Sequence, residues 1–190
     1  MRTANNPDDS LFTRTFEVVS AFEWEHGIQA RIYPGPTQLA PFAFTLEADV
    51  DERYSPDLSA RLLVLHDPAE PEAWSGAFRC VAYVNAPVDS ETANDPLLLE
   101  VGWSWLTEAL DSCQAEYTEP SGTVTTITGR GFGCKSHEFT CEIELRASWT
   151  PLIRGELDIE AHLRAWEELL LLAAGAPHAL TGPSAGTRLQ

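Results

Sequence analysis

The chain is expected to fold as a single α+β domain, a mainly antiparallel sheet of about five to six strands with three helices packed chiefly on one face. Three observations lead there. Apolar residues recur at helical spacing in three stretches, at the start, middle and end of the sequence, and at a spacing of two in several stretches between them. The strand-like stretches are consecutive and joined by Pro- and Gly-rich turns, which suits hairpins better than the strict strand-helix alternation of a parallel sheet. A length of 190 residues with 44% apolar composition is enough for one sizeable core.

The first helix is expected in "SLFTRTFEVVSAFEWEHG", with Ser10 as N-cap, Phe12, Phe16, Val19, Phe22 and His26 on one face, and Gly27 as the stop. "IYPGPTQLAP" reads as a proline-punctuated connection. "FAFTLEADV" then alternates Phe42, Phe44, Leu46, Ala48 and Val50 against polar neighbours, the pattern of a half-buried strand. "ARLLVLH" is apolar on both faces, as a central strand is, and "AFRCVAYVNA" puts Phe78, Cys80, Ala82, Val84 and Ala86 on one side. The turn-rich "DPAEPEAWSG" between these two predicts antiparallel pairing.

A second helix is expected from about Pro96 to Cys113, with Asp95 and Pro96 as cap and first turn. At about 100° per residue its buried face centres on Leu98, Gly102, Trp105 and Ala109. Trp105 is therefore expected in the core, Gly102 to permit close approach of the sheet or another helix, and Trp103, at the border of the polar arc, to be the contact residue of the pair. "EPSG", Glu119 to Gly122, fits a type I turn joining "AEYT" to "TVTTIT". From His137 onward the alternation is nearly perfect, with Phe139, Cys141, Ile143, Leu145, Ala147 and Trp149 on one face. "LDIEAHLRAWEELLLLAAG" is the last helix, stopped by Gly175 and Pro177. Residues 1–9 and 176–190 lack periodicity and read as disordered tails around a domain of 10–175.

Twenty-nine acidic residues against twelve basic ones give a formal net charge of −17. Such a chain lacks the basic stripe that counterion-release binding to nucleic acid needs, so direct nucleic-acid binding is not expected. The N-terminus has no apolar signal region and no apolar stretch reaches membrane-spanning length, which predicts a cytoplasmic protein without a membrane partner. Cys80, Cys113, Cys134 and Cys141 are read as free thiols.

No constellation announces a reaction. "CKSHEFTC" offers Cys134, His137 and Cys141, but Cys141 is in phase with the apolar face of its strand, so no metal site is expected. "GRGFG", Gly129 to Gly133, carries Arg130 and leads into a strand; a phosphate-binding loop would open a helix. In "LHDPAEPEAW" the His66 and Asp67 pair stands at a strand end, where a histidine beside carboxylates can be tuned for acid–base work, although Asp-Pro is also an ordinary turn opener. No cofactor motif is present, and none is expected.

On the segments "RLLVLHDPAEPEAWSGAFRCVAYVNA", "DPLLLEVGWSWLTEAL", "PSGTVTTITGRGFG" and "EIELRASWTP" the chain resembles the actinobacterial domain-of-unknown-function family 3000, over roughly Phe16 to Gly175. The resemblance implies no activity, cofactor or catalytic residue. Its gene neighbourhood implies a link to RNA metabolism, which the acidic charge would route through a protein partner. The expected function is non-enzymatic, acting through protein–protein contact or as a homodimer. The alternative is a small-ligand-binding protein or enzyme with a pocket near the His66–Asp67 turn and the Gly129–Gly133 loop. Trp103, His66, Asp67 and Arg130 are the candidate binding residues.

Overall fold

Alternating apolar residues build one face of a six-stranded sheet, described in a computed structural model for residues 7–175 apart from 52 and 56, with backbone alone at 7–10. The strands are β1 (Gln29–Pro34), β2 (Phe42–Asp49), β3 (Ser59–His66), β4 (Phe78–Pro87), β5 (Tyr117–Arg130) and β6 (Phe139–Pro151). The helices are α1 (Pro7–Ala21), α2 (Ser90–Ala93), α3 (Leu98–Ser112) and α4 (Ile159–Ala173). The strand order is β1-β2-β3-β4-β6-β5 and every pair is antiparallel, so the fold is α+β as expected. The expected tails fall largely on residues 1–6 and 176–190, outside the described residues.

The register shows how one face becomes the core. Leu46 lies opposite Leu62, Leu62 opposite Ala82, and Ala82 opposite Ala147, all buried. With Phe44, Val64, Cys80, Val84, Leu145 and Trp149 they form a continuous apolar floor. Leu106, Leu110, Leu163, Trp166 and Leu170 of α3 and α4 close over it, and Phe12 of α1 reaches the Phe42 and Phe44 rings. Burying this area is the main drive to fold.

Several expectations shift in detail. The first helix starts at Pro7 and ends at Ala21, so Ser10 is inside it; His26 and Gly27 are a separate left-handed pair in the turn that follows. The edge strand β1 takes in Ile32, Tyr33 and Pro34, the first three residues of the expected proline-punctuated connection, which shortens that connection to the stretch before Phe42. The second helix begins near its expected place, with the Asp95 carboxylate accepting the Leu97 N–H at 2.8 Å. Its buried line, however, is Leu98, Gly102, Leu106, Ala109 and Leu110, which leaves Trp105 half-buried beside the core. Gly175, at φ +65°, closes α4 as expected.

The largest correction is at "EPSG", where there is no turn. β5 runs unbroken through it, and its ladder with β6 slips between Thr118 and Ser121, with Glu119 at φ +50°. On an edge strand the missing N–H of Pro120 costs no ladder bond, and a left-handed residue absorbs the extra position as a bulge. The chain reverses instead at 131–138, where the Gly131 N–H donates to the Glu138 carbonyl at 2.8 Å.

Candidate functional site

The β3–β4 connection turns back through an Asx turn. The Asp67 carboxylate accepts the Ala69 N–H at 2.9 Å, and the Asp67 N–H donates to the Ala77 carbonyl at 2.8 Å. Asp67 is thus a turn residue, and it does not line the cavity beside it. That cavity holds about 590 Å³, a volume suited to a small ligand, and Arg14, Arg154, Glu70, Ser75 and Thr150 are among its polar groups. His66 lines it as a buried ring, packed at 4.3 Å on Phe78 and at 5.8 Å on Phe12, with Nδ1 3.2 Å from the Ala77 carbonyl oxygen. The Asp67 carboxylate is taken up by the turn, while the His66 ring lines the cavity.

Arg130 stands elsewhere. It pairs with Phe139 at the start of β6, whereas the His66 turn lies beyond the far end of that strand, near Pro151. Twelve residue steps at about 3.4 Å separate the two ends by roughly 40 Å, so no single pocket can join the Gly129–Gly133 loop to the His66–Asp67 turn. Arg130 is instead exposed at a hairpin end that also displays Phe132 and Phe139.

Trp103 lies between these ends, half-buried, with its ring against Gly122 of β5. Beside it Gly102 faces Val124 and Ile143, so α3 rides above the β5–β6 pair at the closeness its glycine predicted. A side chain at Gly122 has nowhere to go: its Cβ would lie 2.4 Å from the Arg146 carbonyl oxygen and 2.8 Å from the Trp103 ring. Gly122→Ala is expected to cost about 2 kcal/mol or more in urea unfolding, at the upper end of overpacking effects because a backbone atom is the obstacle. A variant as stable as the parent would show that the edge strand shifts freely under Trp103.

Sequence reading missed two buried polar clusters. On the sheet face away from the helices, Arg79 is 9% exposed and spans three strands. Its Nη1 donates to the Glu119 carbonyl at 3.0 Å and to Thr150 Oγ1 at 2.9 Å, and its Nη2 to Ser148 Oγ at 2.7 Å and Ser121 Oγ at 3.1 Å. Thr150 in turn donates to the Trp74 carbonyl, tying in the β3–β4 connection. Among the described residues no carboxylate comes within ion-pair distance of this guanidinium, and burial lowers its pKa. The signal was present: Arg79, Ser148, Thr150 and Ser121 are all in phase with the polar face of their strands.

The second cluster is inside the core. Trp149 Nε1 donates to His162 Nδ1 at 3.1 Å, and the other ring nitrogen serves the Glu116 backbone. Burial pulls the His162 pKa down to about 4, so the ring is neutral and its tautomer is set by the two bonds. Nothing in the local pattern of α4 distinguishes this histidine, which stands between Ala161 and Leu163.

Several other charged residues of the outer face pair with one another. Arg61 pairs with Glu47 at 2.8 Å, Arg146 with Glu144 at 3.1 Å, and Arg146 stands 5.8 Å over the Tyr83 ring. Burial pushes the Cys80 thiol up, as it does Cys113, which disfavours thiolate chemistry at either. Among the described residues no group of three His, Cys, Asp or Glu could hold a metal ion, and no helix is long and apolar enough to cross a membrane.

Among family models, one described as a protein of unknown function (DUF3000) matches the chain over residues 8–182. No curated protein and no solved structure matches the chain.

Proposed function

The chain belongs to the DUF3000 family of proteins of unknown function, and from that premise we propose that it is a non-enzymatic cytosolic domain acting through protein–protein contact, with self-association as its basic form. The observation that carries this reading is the apolar flank of α3 above the edge strand β5, where Leu99, 44% exposed, lies one turn before the half-buried Trp103, whose ring rests on Gly122. Apolar residues clustered next to an open edge are the usual mark of a contact surface. A link to RNA metabolism fits this reading through a protein partner, because a net charge of −17 repels a phosphate backbone.

Gel filtration with light scattering on the full-length protein tests it. The expected mass rises above 20.9 kDa with concentration in the micromolar range. Leu99→Asp is expected to weaken assembly at least tenfold, equivalent to about 1.4 kcal/mol, without lowering the thermal midpoint. A strict monomer that also cross-links to nothing in native cytosol sinks the reading.

A second reading rests on the cavity at the His66 end, where Arg14 and Arg154, paired with Glu156 at 3.7 Å and Glu116 at 2.8 Å, would exchange those carboxylates for a small carboxylate or phosphate. An anion at one hundred times its dissociation constant would stabilise the protein by about 2.7 kcal/mol, and Arg154→Gln would remove that gain. A thermal-shift series with inorganic phosphate and small carboxylates that shows no shift rules it out.

A further inference from the structure

We propose that two copies of this chain pair edge to edge through β5, antiparallel about a twofold axis at Thr125, to make one continuous twelve-stranded sheet. The inference rests on the self-association reading above and adds to it the partner's identity, strand and register.

Exposed sheet edges are normally protected by charge, proline or brevity. The outer strand β1 follows that rule: six residues, with Arg31 in the middle and Pro34 at its end. β5 does not. It is fourteen residues long, and from Ser121 to Gly129 it carries no charge and no proline in a chain of net charge −17. Thr123, Thr125, Ile127 and Thr128 of that run are exposed. The longer of the two open edges thus also offers an uncharged run on which two such acidic molecules can meet without like charges opposed.

The register follows from the run itself. Its centre is Thr125, so antiparallel pairing about that residue sets Thr123 against Ile127, Val124 against Thr126, and Thr125 against itself. Thr–Thr and β-branched cross-strand pairs are favourable. The charges that end the run are of opposite sign, Glu119 before it and Arg130 after it, both exposed. Twofold pairing brings each Glu119 beside the second copy's Arg130, twice over, while a parallel arrangement would set like against like.

The helices agree with the same geometry. α3 sits above the β5–β6 pair, since Gly102 faces both Val124 and Ile143. With strands about 4.8 Å apart, its axis lies about half a spacing inside β5, and the twofold about half a spacing outside it. The two α3 helices then run roughly 10 Å apart on one face, the distance of ordinary helix packing. The flank they turn to each other is the one carrying Trp103 and, one turn earlier, Leu99, which gives the half-buried tryptophan an apolar partner.

The experiment uses the full-length chain with Cys113→Ser and Cys134→Ser, so that an introduced thiol is the accessible one. Thr125→Cys is expected to form an intermolecular disulfide under mild oxidation, because dyad-related Cα atoms in an antiparallel pair lie within disulfide reach. Thr123→Cys alone is expected to cross-link poorly, and Thr123→Cys with Ile127→Cys efficiently. Thr125→Lys should weaken the dimer at least tenfold while leaving the melting profile of the monomer unchanged. A dimer by light scattering that neither cross-links at Thr125→Cys nor responds to Thr125→Lys overturns the β5 pairing and leaves self-association by another surface standing. A wild-type monomer overturns both, and β5 amides protected from hydrogen exchange in that monomer would assign the edge to another segment of the same chain.

Discussion

Arg79→Ala is expected to lower the unfolding free energy by about 3 kcal/mol, more than any other single change on the solvent face of the sheet. The guanidinium is nearly buried, makes four hydrogen bonds to neutral oxygens, and has no carboxylate beside it among the described residues. Burying a cation without a counter-charge is costly, and its full hydrogen bonding, within the negative field of an acidic molecule, offsets that cost. Deleting the side chain strands the Glu119 carbonyl at a bulge and leaves the Ser121, Ser148 and Thr150 hydroxyls to find water. Arg79→Lys keeps the charge but lacks the planar fork, so it should fall between, at about half the loss. Urea unfolding of the three proteins checks this, and an alanine variant as stable as the parent would show the cluster to be dispensable.

The second large effect is on pH. His162 titrates near 6.5 when unfolded and at about 4 when folded, so between those values the unfolded chain binds the additional proton. The stability this contributes is fully present above pH 6.5 and is lost as pH falls toward 4, about 3 kcal/mol in all. The structural reason is specific, because the nitrogen that must take the proton, Nδ1, is the one accepting the Trp149 N–H. Protonation replaces an acceptor by a second donor facing the first. His162→Gln should be less stable at neutral pH yet flatter between pH 6.5 and 4. Parallel pH profiles for the two proteins would assign the acid sensitivity elsewhere.

Most of the fold is legible in the sequence, for a plain reason. β2, β3, β4 and β6 are buried on one side only or at the sheet centre, and periodicity reports one-sided burial directly. The misreadings fall where local chemistry and sheet context disagree. Pro120, Ser121 and Gly122 satisfy the turn rules in isolation, but Arg79, forty-one positions earlier than Pro120, bonds across the bulge and favours an extended path. Trp105 lost its expected core place to Leu106 because a bulky ring rarely fits where a helix rides close on its sheet. The candidate site was legible only in parts. His66, Asp67, Trp103 and Arg130 each stand out by local pattern, and no local pattern tells which end of a strand a residue shares with another. That depends on β6 lying between β4 and β5, a long-range fact.

The position of β6 also bears on how the molecule comes together in time. Four of the five strand ladders join neighbours in sequence, and each can zip from its own turn. The β4–β6 ladder cannot: its nearest partners, Pro87 and Glu142, are separated by about fifty residues that include α2, α3 and all of β5. Closing that span is the slow, entropically opposed event of assembly, and until it happens the β1–β4 meander and the β5–β6 hairpin are two halves with open edges. Arg79, anchored on β4 and gripping β5 and β6, is then a latch that can engage only once the halves have met in register.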